Sequence, residues 1–335
     1  MIDLVATARK CSLVCPGCHG RLKGIGASLG CASCARLFPA VAGLIDLRLA
    51  SDRFLDLDAD RAKAARLHAI APTTDLIGLA SAYYAMTDDV LDHRRDRFLR
   101  HISGAVSRGE ALAGRLTGPG RVLEVGCGTG GLLVAAARIG VDIQGVDIAA
   151  RWLVVARRRL TDHGVDIPLT AAGAERLPWP DGTFDTLVAD SLLEHLDDPG
   201  RALREWVRVL RPGGQLLLWS PNRFTIATDP HLGLWGVGWL PRPLVPAYLR
   251  LRGRTEWPPR TLSAFEARRL ALRCGLARVA VEPPAIPGRW AQTRPAPERL
   301  PIRVYQVARQ LAPGRAFLNL LGPLWELRAE AGRAA

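Results

Sequence analysis

Four cysteines fall in two pairs, Cys15-Pro16-Gly17-Cys18 and Cys31-Ala32-Ser33-Cys34, with twelve residues between them. Each CxxC closes a tight knuckle that turns both sulfurs toward one point, and four thiolates complete a tetrahedral Zn²⁺ shell. A closed shell has no position for a substrate, so the expected ion is structural. A redox CxxC is the alternative, but two pairs at this spacing favour a single ion. His19 adjoins Cys18 and reads as a bystander, because the four thiolates already fill the shell.

A second constellation is the run Val122-Leu123-Glu124-Val125-Gly126-Cys127-Gly128-Thr129-Gly130-Gly131, an apolar stretch that passes into a glycine loop and then a helical pattern. Gly126, Gly128 and Gly131 fit the GxGxxG spacing, a weak signal alone. Asp147 lies 21 residues after Gly126, at the end of the next apolar run. A carboxylate there can accept both hydroxyls of a ribose, which suits NAD and S-adenosylmethionine equally. Glu124 separates the two: an acid just before the loop repels a pyrophosphate and attracts a cationic amino-acid end.

The other reactive side chains are His195, in Asp190-Ser191-Leu192-Leu193-Glu194-His195-Leu196, and His231, which opens His231-Leu232-Gly233-Leu234-Trp235-Gly236-Val237-Gly238-Trp239. Either imidazole could serve as a base near neutral pH, or could orient its loop or bind substrate. Tyr83 and Tyr84 stand between helical stretches, where they either close over an acceptor or pack in a core. Trp235 and Trp239 either stack on a ring acceptor or anchor their own segment. With Arg242, Arg250, Arg252 and Arg254 they could also dock on an anionic membrane surface.

These groups need a scaffold, and the chain of 335 residues, 48% hydrophobic, is long enough for a large core with appendages. The formal charge is +13, and all but three of the 45 basic residues (Lys10, Lys23, Lys63) are arginine. That skew is what a coding bias would give, so charge alone does not select a polyanionic partner. Cysteine usage suits a reducing, cytoplasmic compartment, with Cys11, Cys127 and Cys274 as ordinary thiols, or with Cys11 competing for the metal. Neither a signal peptide nor a membrane-length apolar run is expected.

From Arg121 onward strand and helix signals alternate. Strands are expected at 122–125, 143–146, 167–170, 186–189 and 215–219, with helices at 131–139, 149–163 and 201–210. Arg211-Pro212-Gly213-Gly214 reads as a helix stop and tight turn. Residues 222–260 form an aromatic insertion. A helix at 263–274, a strand at 277–281, a Pro-rich connection at 283–301, a helix at 304–310 and a strand at 324–329 complete the pattern. The expected division is a metal module at 1–50, a helical cap at 51–117 and an α/β domain at 118–335.

The stretch Leu13–Leu47, with Cys-Pro-Gly-Cys, Cys-Ala-Ser-Cys and Arg36-Leu37-Phe38-Pro39-Ala40-Val41-Ala42-Gly43-Leu44-Ile45-Asp46-Leu47, resembles the zinc ribbons of transfer-RNA methyltransferase activators. The resemblance implies a β-rich structural module. The block Val122–Gly130 resembles motif I of class I S-adenosylmethionine-dependent methyltransferases. Gly145-Val146-Asp147-Ile148, the stretch Ala174-Glu175-Arg176-Leu177-Pro178-Trp179-Pro180-Asp181-Gly182-Thr183-Phe184-Asp185, the stretch Asp190–Leu196 and Leu210-Arg211-Pro212-Gly213-Gly214-Gln215-Leu216 match later motifs in order. This second resemblance implies a Rossmann-like sheet of seven strands, the last antiparallel. It also implies cofactor contacts from Glu124, Gly126, Cys127, Gly128, Gly130, Asp147, Ile148, Ala174, Glu175 and Asp190. Gly173 departs from the family, which often has Asp there.

The expected activity is methyl transfer to a small-molecule hydroxyl on a sugar, glycoside or natural-product intermediate, with an anionic acceptor favoured by nearby arginines. RNA base methylation and a non-catalytic partner role are the alternatives. Dispersed arginines and a non-basic continuation after Cys34 weigh against RNA, and the intact Glu124–Gly130 loop weighs against a mere partner.

Overall fold

The computed structural model describes residues 3–87, 92–116, 119–254, 260–286, 292 and 296–332. The chain divides into two compact units, Met1–Leu187 with Arg208–Arg211, and Val188–Val207 with Pro212–Ala335.

The first unit begins with α1 (Leu4–Lys10), capped by Asp3, whose carboxylate accepts from the Val5 and Ala6 amides. An antiparallel meander follows: β1 (Leu22–Ile25), β2 (Ser28–Cys31), β3 (Leu37–Val41) and β4 (Leu44–Asp46). Four helices come next, α2 (Leu57–Ile70), α3 (Leu76–Ala85), α4 (Asp92–Ser103) and α5 (Ala105–Ala113). Asp56 and Asp75 cap the first two through the amides of Ala59 and Gly78. The alternating part is β5 (Arg121–Val125), α6 (Gly131–Arg138), β6 (Asp142–Asp147), α7 (Ala150–Asp162), β7 (Leu169–Ala171) and β8 (Phe184–Asp190). Strands β5 and β6 are buried along nearly their whole length, as parallel strands covered on both faces must be. Here the strand order is β1-β2-β3-β4-β7-β6-β5-β8.

Strand β8 carries the chain into the second unit, where the order is β8-β9-β11-β10. Its elements are α8 (Pro199–Val209), β9 (Leu210–Pro221), α9 (Val245–Leu251), α10 (Ala264–Arg273), β10 (Leu276–Glu282), α11 (Ala296–Gln310), α12 (Ala312–Leu321) and β11 (Leu324–Ala331). The last strand, β11, runs antiparallel to both β9 and β10. Helix α10 opens on a capping box in which Ser263 and Glu266 exchange hydrogen bonds.

The expected count of seven strands is corrected to eleven among the described residues. Seven of them, β5 to β11, form the mixed sheet of the resemblance. The other four belong to the cysteine-bearing N-terminal segment, whose β4 pairs in parallel with β7 through Ile45 against Thr170 and Asp46 against Ala171. Without β4, the β7 edge would present unpaired amides and carbonyls. The Leu47 amide continues the ladder to the Ala171 carbonyl at 2.8 Å. Two further bonds fasten the module to the loop before β8: the Val14 amide to the Pro178 carbonyl, and Trp179 Nε1 to the Cys11 carbonyl, both 2.9 Å.

Element ends also shift. Strand β7 starts at Leu169 rather than 167, because Pro168 has no amide to give a ladder. The Arg211–Gly214 turn falls within the span of β9, bending at Gly213 (φ 78°), and the ladder to β11 begins at Gln215. The last helix expected from sequence starts earlier, at Ala296. The 117/118 boundary, residues 255–259 of the insertion, and residues 287–291 and 293–295 of the Pro-rich connection lie outside the described residues. No helix among the described residues is long and apolar enough to cross a membrane.

Candidate functional site

In the metal module the two knuckles meet. The four sulfurs of Cys15, Cys18, Cys31 and Cys34 lie within 4.8 Å of one another. Sγ of Cys15 is 3.7 Å from that of Cys34, and Sγ of Cys18 is 3.4 Å from that of Cys31. A tetrahedral ion with ~2.3 Å bonds to sulfur needs S···S edges of about 3.8 Å. The donor set therefore fits Zn²⁺. Backbone amides prepare it: Cys31 Sγ accepts from Ser33 at 3.4 Å and from Cys34 at 3.5 Å. The Arg36 amide holds the Cys34 thiol down at about 6, whereas burial pushes Cys15 up to about 12. Cys11 is buried apart from this cluster, and burial raises its thiol.

The glycine loop leaves β5 directly after Val125. Gly126 and Cys127 both donate to the Val146 carbonyl, at 2.8 and 3.1 Å, so the loop is tied to the end of β6. Gly128 adopts φ 47°, with nothing within 4 Å of where a Cβ would stand, so the loop's outer side is open. Gly130 caps α6 in the left-handed conformation (φ 72°), where a Cβ would press on Ala156 at 3.2 Å. Glu124 is buried at 4% exposure, one residue from the loop. Cys127 is buried, and burial drives its thiol far above the ordinary value, so only its backbone is available to a ligand.

Asp147 joins this loop to the end of β6. One carboxylate oxygen accepts from the Gly128 amide and the other from the Ala149 amide, both at 2.8 Å. Burial raises its pKa, and these two amides oppose the rise. Each oxygen keeps a second lone pair for a hydroxyl donor. Ile148 follows, and its side chain comes within 4.0 Å of the position a Cβ would take on Gly173. The Gly173–Glu175 turn thus reaches the Asp147–Ile148 loop, while the Ala172 amide donates to the Asp147 carbonyl at 3.0 Å. Ala174 is buried and Glu175 half-buried in this turn.

Behind the Asp147–Ile148 loop lies a group of charges that sequence reasoning missed. Asp46, Arg48, Asp60 and Arg151 are all at most 5% exposed. Arg48 clasps Asp46 with two nitrogens, each at 2.8 Å, pairs with Asp60, and donates to the Ile148 carbonyl at 2.9 Å. Asp60 accepts from the Ala150 amide at 3.1 Å and pairs with Arg151, which also meets Asp52 at 2.6 Å. Tyr83 belongs to this group: its hydroxyl accepts from Arg151 Nε at 3.0 Å and its ring stacks on Trp152 at 4.0 Å. Tyr84 stacks on Phe98 and is 3% exposed. Both tyrosines are buried.

In the second unit, Asp190 ends β8 and accepts from Ser191 Oγ at 3.0 Å. Ser191 takes a left-handed backbone (φ 53°), a conformation that costs a non-glycine residue roughly 1–2 kcal/mol. Its amide bonds to the Trp219 carbonyl at 2.8 Å, and the chain turns into a short 3₁₀ segment, Leu193–His195. Glu194 is 1% exposed. Its Oε2 accepts from Ser220 Oγ at 3.0 Å, and its Oε1 lies 3.3 Å from His231 Nε2. His195 meets His231 edge to face, with ring centroids 4.6 Å apart. Burial alone would raise the Glu194 carboxyl, but His231 and the charge of His195 bring it below the usual range. The structure therefore unites both expected histidines around an acid that the sequence reading quoted but did not assign. Its position beside His195 was the available signal.

Trp235 and Trp239 are 63% and 46% exposed as residues. Their indole N–H groups are spent on carbonyls of the insertion itself, Ile226 at 3.1 Å and Thr225 at 3.0 Å. The insertion has its own small core of Leu232, Leu234, Val237, Val245 and Leu249. Exposed faces on fixed edges suit stacking against a ring.

Residues 123–218 match the family described as "Methyltransferase domain". A ubiquinone biosynthesis O-methyltransferase of Xanthomonas euvesicatoria pv. vesicatoria is 38% identical over 104 residues, which is 31% of this chain and 44% of that protein. Its counterpart in Bordetella avium is 36% identical over 115 residues, 34% of this chain and 47% of that protein. The chain thus spans less than half the length of these curated relatives. Among solved structures, a SAM-dependent methyltransferase of Thermotoga maritima, described as a possible histamine N-methyltransferase, aligns with 71% of this chain and 94% of its own, at 20% identity and a TM-score of 0.44.

Proposed function

We propose that this chain is an S-adenosylmethionine-dependent methyltransferase acting on a hydroxyl of a small acceptor. The observation that carries this reading is the Asp147 carboxylate bonded to the Gly128 amide, beside a loop led by buried Glu124, within the segment that matches the methyltransferase family. Asp147 would take the ribose hydroxyls. Glu124 would face the cationic methionyl end, and Ile148, Ala174 and Glu175 would border the adenine. Asp190 closes the expected set at the end of β8. The names of the two relatives support oxygen as the methylated atom. A sugar, glycoside or natural-product intermediate, anionic in character, is the acceptor class the exposed tryptophans and arginines of the insertion favour.

Methyl transfer from a sulfonium is an in-line displacement in which the cofactor carries the activation. The chain must hold the acceptor and remove its proton. Glu194, accepting Nε2–H of His231, would leave the lone pair on Nδ1 as the base. The cofactor would supply the methyl group to the acceptor oxygen, and the His231 imidazole would take the proton that oxygen gives up. His195 would fix the ring edge to face. In this reading residues 1–50 are the zinc ribbon, 51–117 a helical cap and 118–335 the catalytic domain, with 222–260 as its substrate-side insertion. Four thiolates close the zinc shell and leave the ion a structural task.

Calorimetry with S-adenosylhomocysteine tests the cofactor half: the wild-type chain should bind it, and Asp147→Ala should not. Incubating the enzyme with labelled methyl donor and a metabolite pool, then with RNA, tests the acceptor half. No cofactor binding would return the chain to the role of a non-catalytic partner, and label in RNA alone would overturn the small-molecule reading.

A further inference from the structure

The Glu194, His195 and His231 cluster has the composition and spacing of a metal site distinct from the four cysteines. Its three ligating atoms lie within 4.8 Å of one another. The 3.3 Å from Glu194 Oε1 to His231 Nε2 is long for a charge-assisted hydrogen bond, which runs about 2.7–2.9 Å. Two ligands on one ion with bonds of about 2.1 Å stand roughly 3.0–3.4 Å apart.

The surroundings are built rather than accidental. Ser220 Oγ holds Glu194 Oε2 at 3.0 Å and so aims Oε1 at the histidines, as outer-shell partners of metal ligands do. The backbone of His231 is fixed by Asp229, whose carboxylate accepts from the His231 and Leu232 amides at 2.9 and 2.8 Å. Both imidazoles are half-buried while the acid is fully buried, which leaves an approach for a further ligand. One carboxylate and two imidazoles suit Mn²⁺, Fe²⁺, Co²⁺ or Zn²⁺ better than Mg²⁺ or Ca²⁺, which favour oxygen throughout.

We propose that Glu194, His195 and His231 bind one divalent transition-metal ion with open positions for the acceptor's oxygen. The existence of the site does not depend on the function proposed above, but its use in catalysis rests on that reading. There, the acceptor hydroxyl binds the ion, loses its proton to solvent water and takes the methyl group. The sulfur keeps the electron pair of the broken bond, giving S-adenosylhomocysteine. The ion would then replace the imidazole base and would favour acceptors that offer two neighbouring oxygens.

The test uses the full chain with its cysteine-bound zinc retained and other metals dialysed away. Mn²⁺ is titrated with electron paramagnetic resonance detection, and Zn²⁺ uptake is counted by elemental analysis. The wild type should take one equivalent of either ion beyond that of the cysteines. Glu194→Gln and His231→Ala should lose it. Ser220→Ala, which leaves all three ligands in place, should weaken it by roughly 10-fold. Uptake by the variants equal to the wild type, or no second equivalent of either ion, overturns the proposal. S-adenosylhomocysteine binding is measured on the same samples. If it fails while the ion binds, the methyltransferase reading falls and the metal site stands. If it succeeds without a second ion, the metal site falls alone.

Discussion

Two buried clusters of acids and bases in this molecule are made of similar parts and differ in how completely they are closed. In the first unit, every carboxylate oxygen of Asp46 and Asp60 meets an arginine, and Asp60 also takes the Ala150 amide. In the second, Glu194 has one oxygen held by a serine and the other facing an imidazole whose side chain is 26% exposed. A cluster in which every carboxylate oxygen faces a buried guanidinium is suited to holding backbone in place. A cluster with a titratable, partly exposed member can exchange a proton or accept an ion. Burial of charge alone therefore does not separate the two clusters; the partial exposure of His231 does.

The largest effect that would test this contrast is on stability. Asp60→Ala leaves Arg48 and Arg151 buried without their shared acid and should cost about 3–5 kcal/mol in chemical denaturation. A loss under about 1 kcal/mol would mean the cluster is not the clamp described here. Asp147→Ala should weaken S-adenosylhomocysteine binding at least ~100-fold in calorimetry, since two charge-assisted hydrogen bonds worth roughly 1.5–3 kcal/mol each are removed. Glu194→Gln should lower turnover by about 100-fold while thermal melting stays close to wild type. If it instead melts as early as the Asp60 variant, the second cluster is scaffolding too.

The smallest effect is in pH. Arg48 holds the Asp46 carboxyl below the ordinary range against the opposing pull of burial. A depressed folded value means the carboxylate stabilises the fold above the unfolded pKa of about 3.9. That contribution is lost as pH falls through the lower, folded value. Acid titration of unfolding in wild type and Asp46→Asn should therefore diverge at neutral pH and converge in strong acid.

What was legible in the sequence was what is local in the chain. The CxxC spacing, the glycine loop after an apolar run, and Asp147 at the next strand's end each occupy a few neighbouring residues, and all appear where expected. The helix at 263–274 was legible as a resumption of the strand–helix alternation, while its capping box of Ser263 and Glu266 emerged only with the structure. The clasp of Asp46 and Arg48 on α2, α7 and the Ile148 carbonyl was not legible, because its members lie far apart in sequence and share no period. The stacking of Tyr83 on Trp152 and its bond from Arg151 were not legible either, because the partners lie nearly 70 residues away. Pairing of β4 with β7 left no mark either, since a three-residue strand carries too little pattern to name its neighbour.

That short pairing has a practical consequence. Cutting the chain after residue 50 to release the ribbon, or before it to keep only the remainder, would strip the cover from β7 and remove the acceptor of the Trp179 indole. The larger fragment would present a naked strand border able to recruit other chains, so poor yield from such a truncation would report self-association rather than a failed catalytic fold.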